Sequence, residues 1–332
     1  MLNDKSILVT GGTGSFGKKF TEMTLARFKP KKIIVFSRDE MKQWDMSLKY
    51  RNDDRVRFFL GDVRDRDRLY RAVNGVDIVI HAAAAKIVPT AEYNPFEYVK
   101  TNVIGAMNLI DACIDNGVRK VIALSTDKAS SPINLYGATK LTSDKLFVAG
   151  NSYSGKSGTK LSVVRYGNVM GSRGSVLPYF VNLIRKGENI LPITDEKMTR
   201  FMITLEQGVE FVWHALSDMV GGEIYVKKLP SMNIMQIADA ISSSAEKKII
   251  GIRPGEKLHE QMIGSEDAPY TYEFDDYFKI LPMRHEWNDI PFDISKDNLV
   301  KADFTYSSAN NTEWMSKLEL QTWLQDNLKF PE

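Results

Sequence analysis

The chain has 332 residues, enough for about two domains and for a core that needs no disulfide staple. Hydrophobic residues make up 43% and charged residues 26%, the balance of an ordinary globular protein, which excludes collagen, long disorder and coiled coil. Lys and Arg total 44 against 42 Asp and Glu, so the formal charge of +2 supports no nucleic-acid partner and no membrane-surface partner.

The single cysteine, Cys113, forbids an internal disulfide. It lies in an apolar stretch, LIDACIDNG, without a flanking cation, and reads as a small buried hydrophobe. With four histidines in the chain, no metal site is expected. The first ten residues run directly into a glycine loop, and no apolar run reaches the roughly 18 residues of a membrane span. A cytoplasmic location is the expectation.

In chain order, strands are predicted at Ser6–Thr10, Lys32–Ser37, Val56–Gly61, Asp77–His81, Lys120–Ser125 and Leu161–Tyr166. Amphipathic helices fall between them, among them Phe16–Arg27, Pro95–Asn116 and Tyr136–Asn151. Strands of unbroken Ile, Val and Leu are buried on both faces. The alternation predicts an α/β fold, a Rossmann-type doubly wound parallel sheet with a smaller α/β substrate-binding lobe. Residues 1–166 make the dinucleotide-binding domain, and 203–230 return to it through a helix at Leu205–Met219 and a strand at Glu223–Lys227. Residues 167–202 and 231–332 make the lobe. The segment Asn151–Lys160 reads as a solvated loop, and the tail beyond about Pro282 is the least legible part.

The first strand runs into Thr10-Gly11-Gly12-Thr13-Gly14-Ser15-Phe16-Gly17 and then a helix. Glycines at 11, 14 and 17 permit a tight turn, close approach of a pyrophosphate and close helix packing. The helix N-terminus offers free N–H groups to phosphate. Between a strand and a helix, this motif predicts dinucleotide binding by Gly11, Thr13, Gly14, Ser15, Phe16 and Gly17. The second strand ends in Ser37-Arg38-Asp39, with Lys42 following. An acid there holds a ribose hydroxyl in NAD, whereas an arginine suits the 2′-phosphate of NADP. Ser37, Arg38, Asp39 and Lys42 favour NADP, although a solvated turn would look the same. Asp62 and Val63 are placed beside the adenine, and Ala82 lets the backbone approach the cofactor. Phe16, Trp44, Trp213 and the aromatics of 270–277 read as packing.

The fifth strand ends in Thr126-Asp127-Lys128, and Tyr136 and Lys140 follow at helical i, i+4 spacing. A cation beside a phenol lowers its pKa, so that it can take a proton from a sugar hydroxyl. Glycine loop, Thr126, Tyr136 and Lys140 together resemble the extended short-chain dehydrogenase/reductase superfamily. Within it, STDKA, NLYGATKL, RYGNVMGSRGSV, PITDEKMTRF and RPGEKLHE are similar to the inverting UDP-N-acetylglucosamine 4,6-dehydratases of pseudaminic acid biosynthesis, over roughly residues 5–282.

The resemblance implies Asp127 as general acid and Lys128 as general base. It implies Val169 at the nicotinamide, and Lys86, Asn168, Arg173, Thr194, Arg200, Arg253 and Glu256 on a UDP-sugar, here UDP-N-acetylglucosamine. It also implies a homo-oligomer. For Lys128 to act as a base it must be neutral, which burial, Lys140 and the positive nicotinamide would favour. A nucleotide-sugar epimerase or reductase remains the nearest alternative, and a binding protein without chemistry a more distant one.

Overall fold

The computed structural model describes residues 1–172, 174–283 and 294–328. Its first half runs β1 (Ser6–Thr10), α1 (Ser15–Arg27), β2 (Lys32–Ser37), α2 (Glu40–Lys49), β3 (Val56–Leu60), α3 (Arg66–Val73) and β4 (Ile78–His81). Two short helices, α4 (Val88–Tyr93) and α5 (Pro95–Tyr98), then a π-helical turn at Val99–Ile104 and α6 (Gly105–Asp115) lead to β5 (Lys120–Thr126), α7 (Leu135–Tyr153) and β6 (Lys160–Tyr166). The second half continues with β7 (Asn168–Val169), α8 (Val176–Arg185), β8 (Ile190–Ile193), β9 (Thr199–Ile203), α9 (Leu205–Asp218) and β10 (Ile224–Lys227). It closes with β11 (Ser231–Asn233), α10 (Ile234–Ile241), β12 (Glu246–Ile249), β13 (Gln261–Ile263), β14 (Thr271–Glu273), β15 (Tyr277–Ile280), β16 (Tyr306–Ser307) and α11 (Lys317–Leu328).

Nine strands form the main sheet in the order β14-β15-β10-β6-β5-β4-β1-β2-β3. From β10 to β3 every neighbouring pair is parallel, as the unbroken apolar runs require. Ile7, Leu8 and Val9 of β1 are fully buried. Thr10 lies opposite both Phe36 and His81, so the C-terminal ends of β1, β2 and β4 align. The loops that leave these ends share one edge of the sheet, where a parallel α/β sheet binds its ligands.

Several local expectations differ from the structure. The predicted helix over 95–116 is broken by the π-helical turn, which carries a buried asparagine. Asn102 accepts a hydrogen bond from Ala85 N and donates to Ala85 O, each at 2.9 Å, so the turn pins the chain that follows β4. Trp44 does not pack inward: with Met41 and Leu48 it stands exposed on α2. Helix α7 extends to Tyr153, into the segment read as loop.

Two elements placed in the smaller lobe, β14 and β15, join the main sheet as an antiparallel edge. Helices α8 and α10 with β8 build a separate core from Leu177, Phe180, Leu191, Ile193, Ile237 and Ile241. Leu320 and Leu324 of α11 belong to that core, which gives the poorly legible tail its place. No helix among the described residues is long and apolar enough to cross a membrane.

Candidate active site

The ends of β1, β2, β4, β5 and β6 open into one cleft of about 1130 Å³, walled on its far side by the smaller lobe. It is lined by every site residue singled out in the sequence except Arg173, which lies outside the described residues.

At one end is the glycine loop. Gly11 has φ +63, and a Cβ on Gly17 would fall 2.5 Å from the Gly12 backbone, so neither position accepts a side chain without strain. Gly14 caps α1 without a side-chain hydrogen bond, and no acidic residue occupies the first turn. The uncapped N–H groups of this 13-residue helix border the cleft and suit a pyrophosphate. At the neighbouring strand end, Thr13 and Ser37 join their hydroxyls at 2.8 Å. Asp39 accepts from Lys42 N at 3.0 Å as the cap of α2 and pairs with the Lys42 amine. Arg38 projects to the rim, 3.7 Å from Asp62. Burial alone would raise the Asp62 carboxyl, but hydrogen bonds from Arg64 and the nearby Arg38 hold it below the usual range. These features fit a dinucleotide.

At the centre stands the end of β5. Thr126 donates to Asp127 Oδ1 at 2.9 Å. Lys128 Nζ lies 3.1 Å from Asp127 Oδ1 and 2.9 Å from Glu260 Oε1. The expectation of a neutral Lys128 meets two opposing carboxylates. Burial favours the neutral amine, but the Asp127 and Glu260 carboxylates outweigh it and hold Lys128 above the ordinary lysine range. Asp127 moves the other way: burial, assisted by Glu260, pushes its carboxyl up against the pull of Lys128. Asp127, Lys128 and Glu260 lie close enough to titrate as one coupled group.

Tyr136 stands beside this cluster. Burial pushes its phenol up to about 12. The cation that opposes this most is Lys128, helped by a hydrogen bond with Thr126. Lys140 instead donates to the Leu124 carbonyl at 2.8 Å, and burial lowers its own pKa against the pull of Asp144. Helical i, i+4 spacing puts Tyr136 and Lys140 on one face, but the strand beneath decides which atoms they meet.

The smaller lobe supplies the opposite wall. Arg253 pairs with Glu256, and both border the cleft. Thr194 Oγ1 donates to Met198 Sδ at 2.9 Å. Arg200, expected around the nucleotide, is largely committed to the protein: it donates to the carbonyls of Thr199, Leu258 and Lys257 at 2.7–3.1 Å. Lys86 lies at the mouth, with burial and Lys128 both lowering its pKa. Four buried acceptors on the cleft wall have no hydrogen-bond partner among the described residues: Asp127 Oδ2, Asn168 Oδ1, Glu256 Oε2 and Glu260 Oε2. Orphaned acceptors are costly, and a ligand rich in hydroxyl donors would satisfy them.

Glu260 has no assigned role in the sequence reading. It closes the RPGEKLHE motif, so the signal was present, but only the fold carries it to Lys128.

Comparison with known proteins agrees with this architecture. Residues 7–282 match the family described as "Polysaccharide biosynthesis protein". A protein of Campylobacter jejuni named UDP-N-acetylglucosamine 4,6-dehydratase (inverting) is 56% identical over 325 residues, 96% of this chain and 97% of that protein. A UDP-glucose 4-epimerase of Rickettsia conorii is 40% identical over 345 residues, 99% of each. Among solved structures, Pen from Bacillus thuringiensis superimposes with a TM-score of 0.88 at 36% identity, covering 99% of both chains. The chain therefore belongs to the polysaccharide biosynthesis protein family, in the branch of the extended short-chain dehydrogenase/reductase superfamily that holds the inverting UDP-N-acetylglucosamine 4,6-dehydratases.

Proposed function

We propose that this chain is an NADP-dependent UDP-N-acetylglucosamine 4,6-dehydratase that inverts C5. Its product is then UDP-2-acetamido-2,6-dideoxy-β-L-arabino-hex-4-ulose, for pseudaminic acid biosynthesis. The observation that carries the reading is the buried Asp127–Lys128 pair on the wall shared with Tyr136 and the glycine loop. Dehydration needs an acid and a base beyond the tyrosine, and a 4-epimerization does not.

A dinucleotide held by the glycine loop and by Ser37 and Arg38 would supply reversible two-electron transfer, out of C4 and back to C6. The protein handles the protons. Tyr136, as a phenolate stabilised by the Lys128 cation nearby, accepts the proton of the 4-hydroxyl and becomes the neutral phenol. The 4-ketone acidifies the C5 hydrogen, and Lys128, having passed its own proton to Asp127 Oδ1 at 3.1 Å, removes it. The C5–H electron pair becomes the C5–C6 double bond as the C6–O bond breaks. Asp127, kept protonated by burial and by Glu260, gives its proton to the departing oxygen, and water leaves. A proton restored to the opposite face of C5 inverts that centre. Arg38 beside Ser37 supports NADP over NAD. Exposed Tyr93, Phe96, Ile104 and Met107 along α4 to α6 support assembly with copies of the same chain, and a nucleotide-sugar substrate supports a cytoplasmic location.

The test is the reaction of UDP-N-acetylglucosamine carrying deuterium at C4. A product lighter by one water with that deuterium at C6 is expected, and in deuterated water C5 becomes labelled. A product of unchanged mass selects the epimerase, and stoichiometric NADPH consumption the reductase.

A further inference from the structure

We propose that Glu260 is a positioning residue for the elimination: from the smaller lobe it holds the Lys128 amine beside Asp127 and sets the pH at which that amine can serve as a base. The proposal rests on the dehydratase reading above.

Glu260 is fixed from both sides of its peptide. Its N–H donates to Ser308 Oγ at 2.9 Å, and its carbonyl accepts from Ser308 N at 2.8 Å. The side chain is 2% exposed, yet it borders the cleft. One carboxylate oxygen meets Lys128 Nζ at 2.9 Å and lies 3.7 Å from Arg200 Nε, and the other has no partner. A buried ion pair with an orphaned oxygen is a poor way to stabilise a fold, because desolvation offsets most of the attraction. Its placement on the reacting amine gives it a different use.

The charges facing Lys128 come from every surrounding element. Asp127 is its chain neighbour, Glu260 precedes β13, and Arg200 comes from β9. Lys257 and Lys86 approach from the loops before β13 and after β4, and Tyr136 from α7. With Glu260 removed, Asp127 alone faces three other cations. The amine then loses a proton more readily and also loses the contact that orients it.

The experiment compares the pH dependence of kcat/KM for the wild-type enzyme and Glu260→Gln, with UDP-N-acetylglucosamine as substrate. In the variant the acidic limb is expected to move down by about one pH unit or more. The plateau kcat falls about tenfold as the amine loses its orientation, while KM stays within about twofold. Glu260→Asp keeps the charge but withdraws it by one methylene, so it should lose kcat and retain the wild-type limb. This second variant serves if Glu260→Gln does not fold. An unmoved limb in Glu260→Gln, or full kcat in Glu260→Asp, overturns the proposal while the dehydratase reading stands. A wild-type enzyme that forms no dehydrated product at any pH overturns both.

Discussion

Asn134 donates to the Gly255 carbonyl at 2.7 Å, tying the start of the helix that carries Tyr136 to the loop that carries Arg253 and Glu256. The same side chain caps α7, its Oδ1 accepting from Gly137 N at 2.7 Å. One residue thus sets both the phase of the catalytic helix and the distance between the two walls of the cleft. Asn134→Ala should lose about 1 kcal/mol of stability with the cap. Asn134→Asp keeps an acceptor for Gly137 but loses the donor to Gly255, so it should retain stability and raise KM for the nucleotide sugar several-fold. Urea unfolding and steady-state kinetics separate the two effects. An unchanged KM in both variants would show that the tie does not shape the cleft.

Lys128→Met should abolish dehydration by roughly 10²–10⁴-fold in kcat, the usual worth of a positioned acid or base. Cofactor binding should remain, because the glycine loop is untouched. Product mass measured over long incubation is the check, and full activity would remove the base from this position.

If NADP is the cofactor as proposed, Arg38→Ala should weaken NADP by at least about tenfold and leave NAD within about threefold, since NAD has no 2′-phosphate for the guanidinium to meet. Binding titrations with both dinucleotides decide it. An equal loss for the two would place Arg38 outside the cofactor contact.

His81 introduces an acid sensitivity. Burial, reinforced by Lys140, lowers its pKa to about 3 from an ordinary 6.5, and its Nδ1 is 2.8 Å from Thr10 Oγ1. A folded pKa below the unfolded one means that the unfolded chain binds the extra proton. Stability from this group is intact above the unfolded value and falls by about 1.4 kcal/mol per unit below it. Between pH 7 and pH 5 the loss is roughly 2 kcal/mol. His81→Asn should shrink that pH difference by the same amount in chemical unfolding, and an unchanged difference would mean that the imidazole titrates elsewhere.

The parallel sheet was legible because its strands carry their own signal: SILVT and KIIVFS can be buried on both faces and little else. The glycine loop was legible for a local reason too, since the backbone at Gly11 and the contact at Gly17 admit no Cβ. The spacing of Tyr136 and Lys140 placed both on one helical face. Their electrostatics were not legible. The phenol answers to Lys128, and Lys128 answers to Glu260, a residue far along the chain. Electrostatic interaction depends on distance through space and on burial, and neither is written in sequence separation. The residues at the catalytic end were thus determined by the chain alone, but which of them hold protons was decided only when the smaller lobe closed over β5.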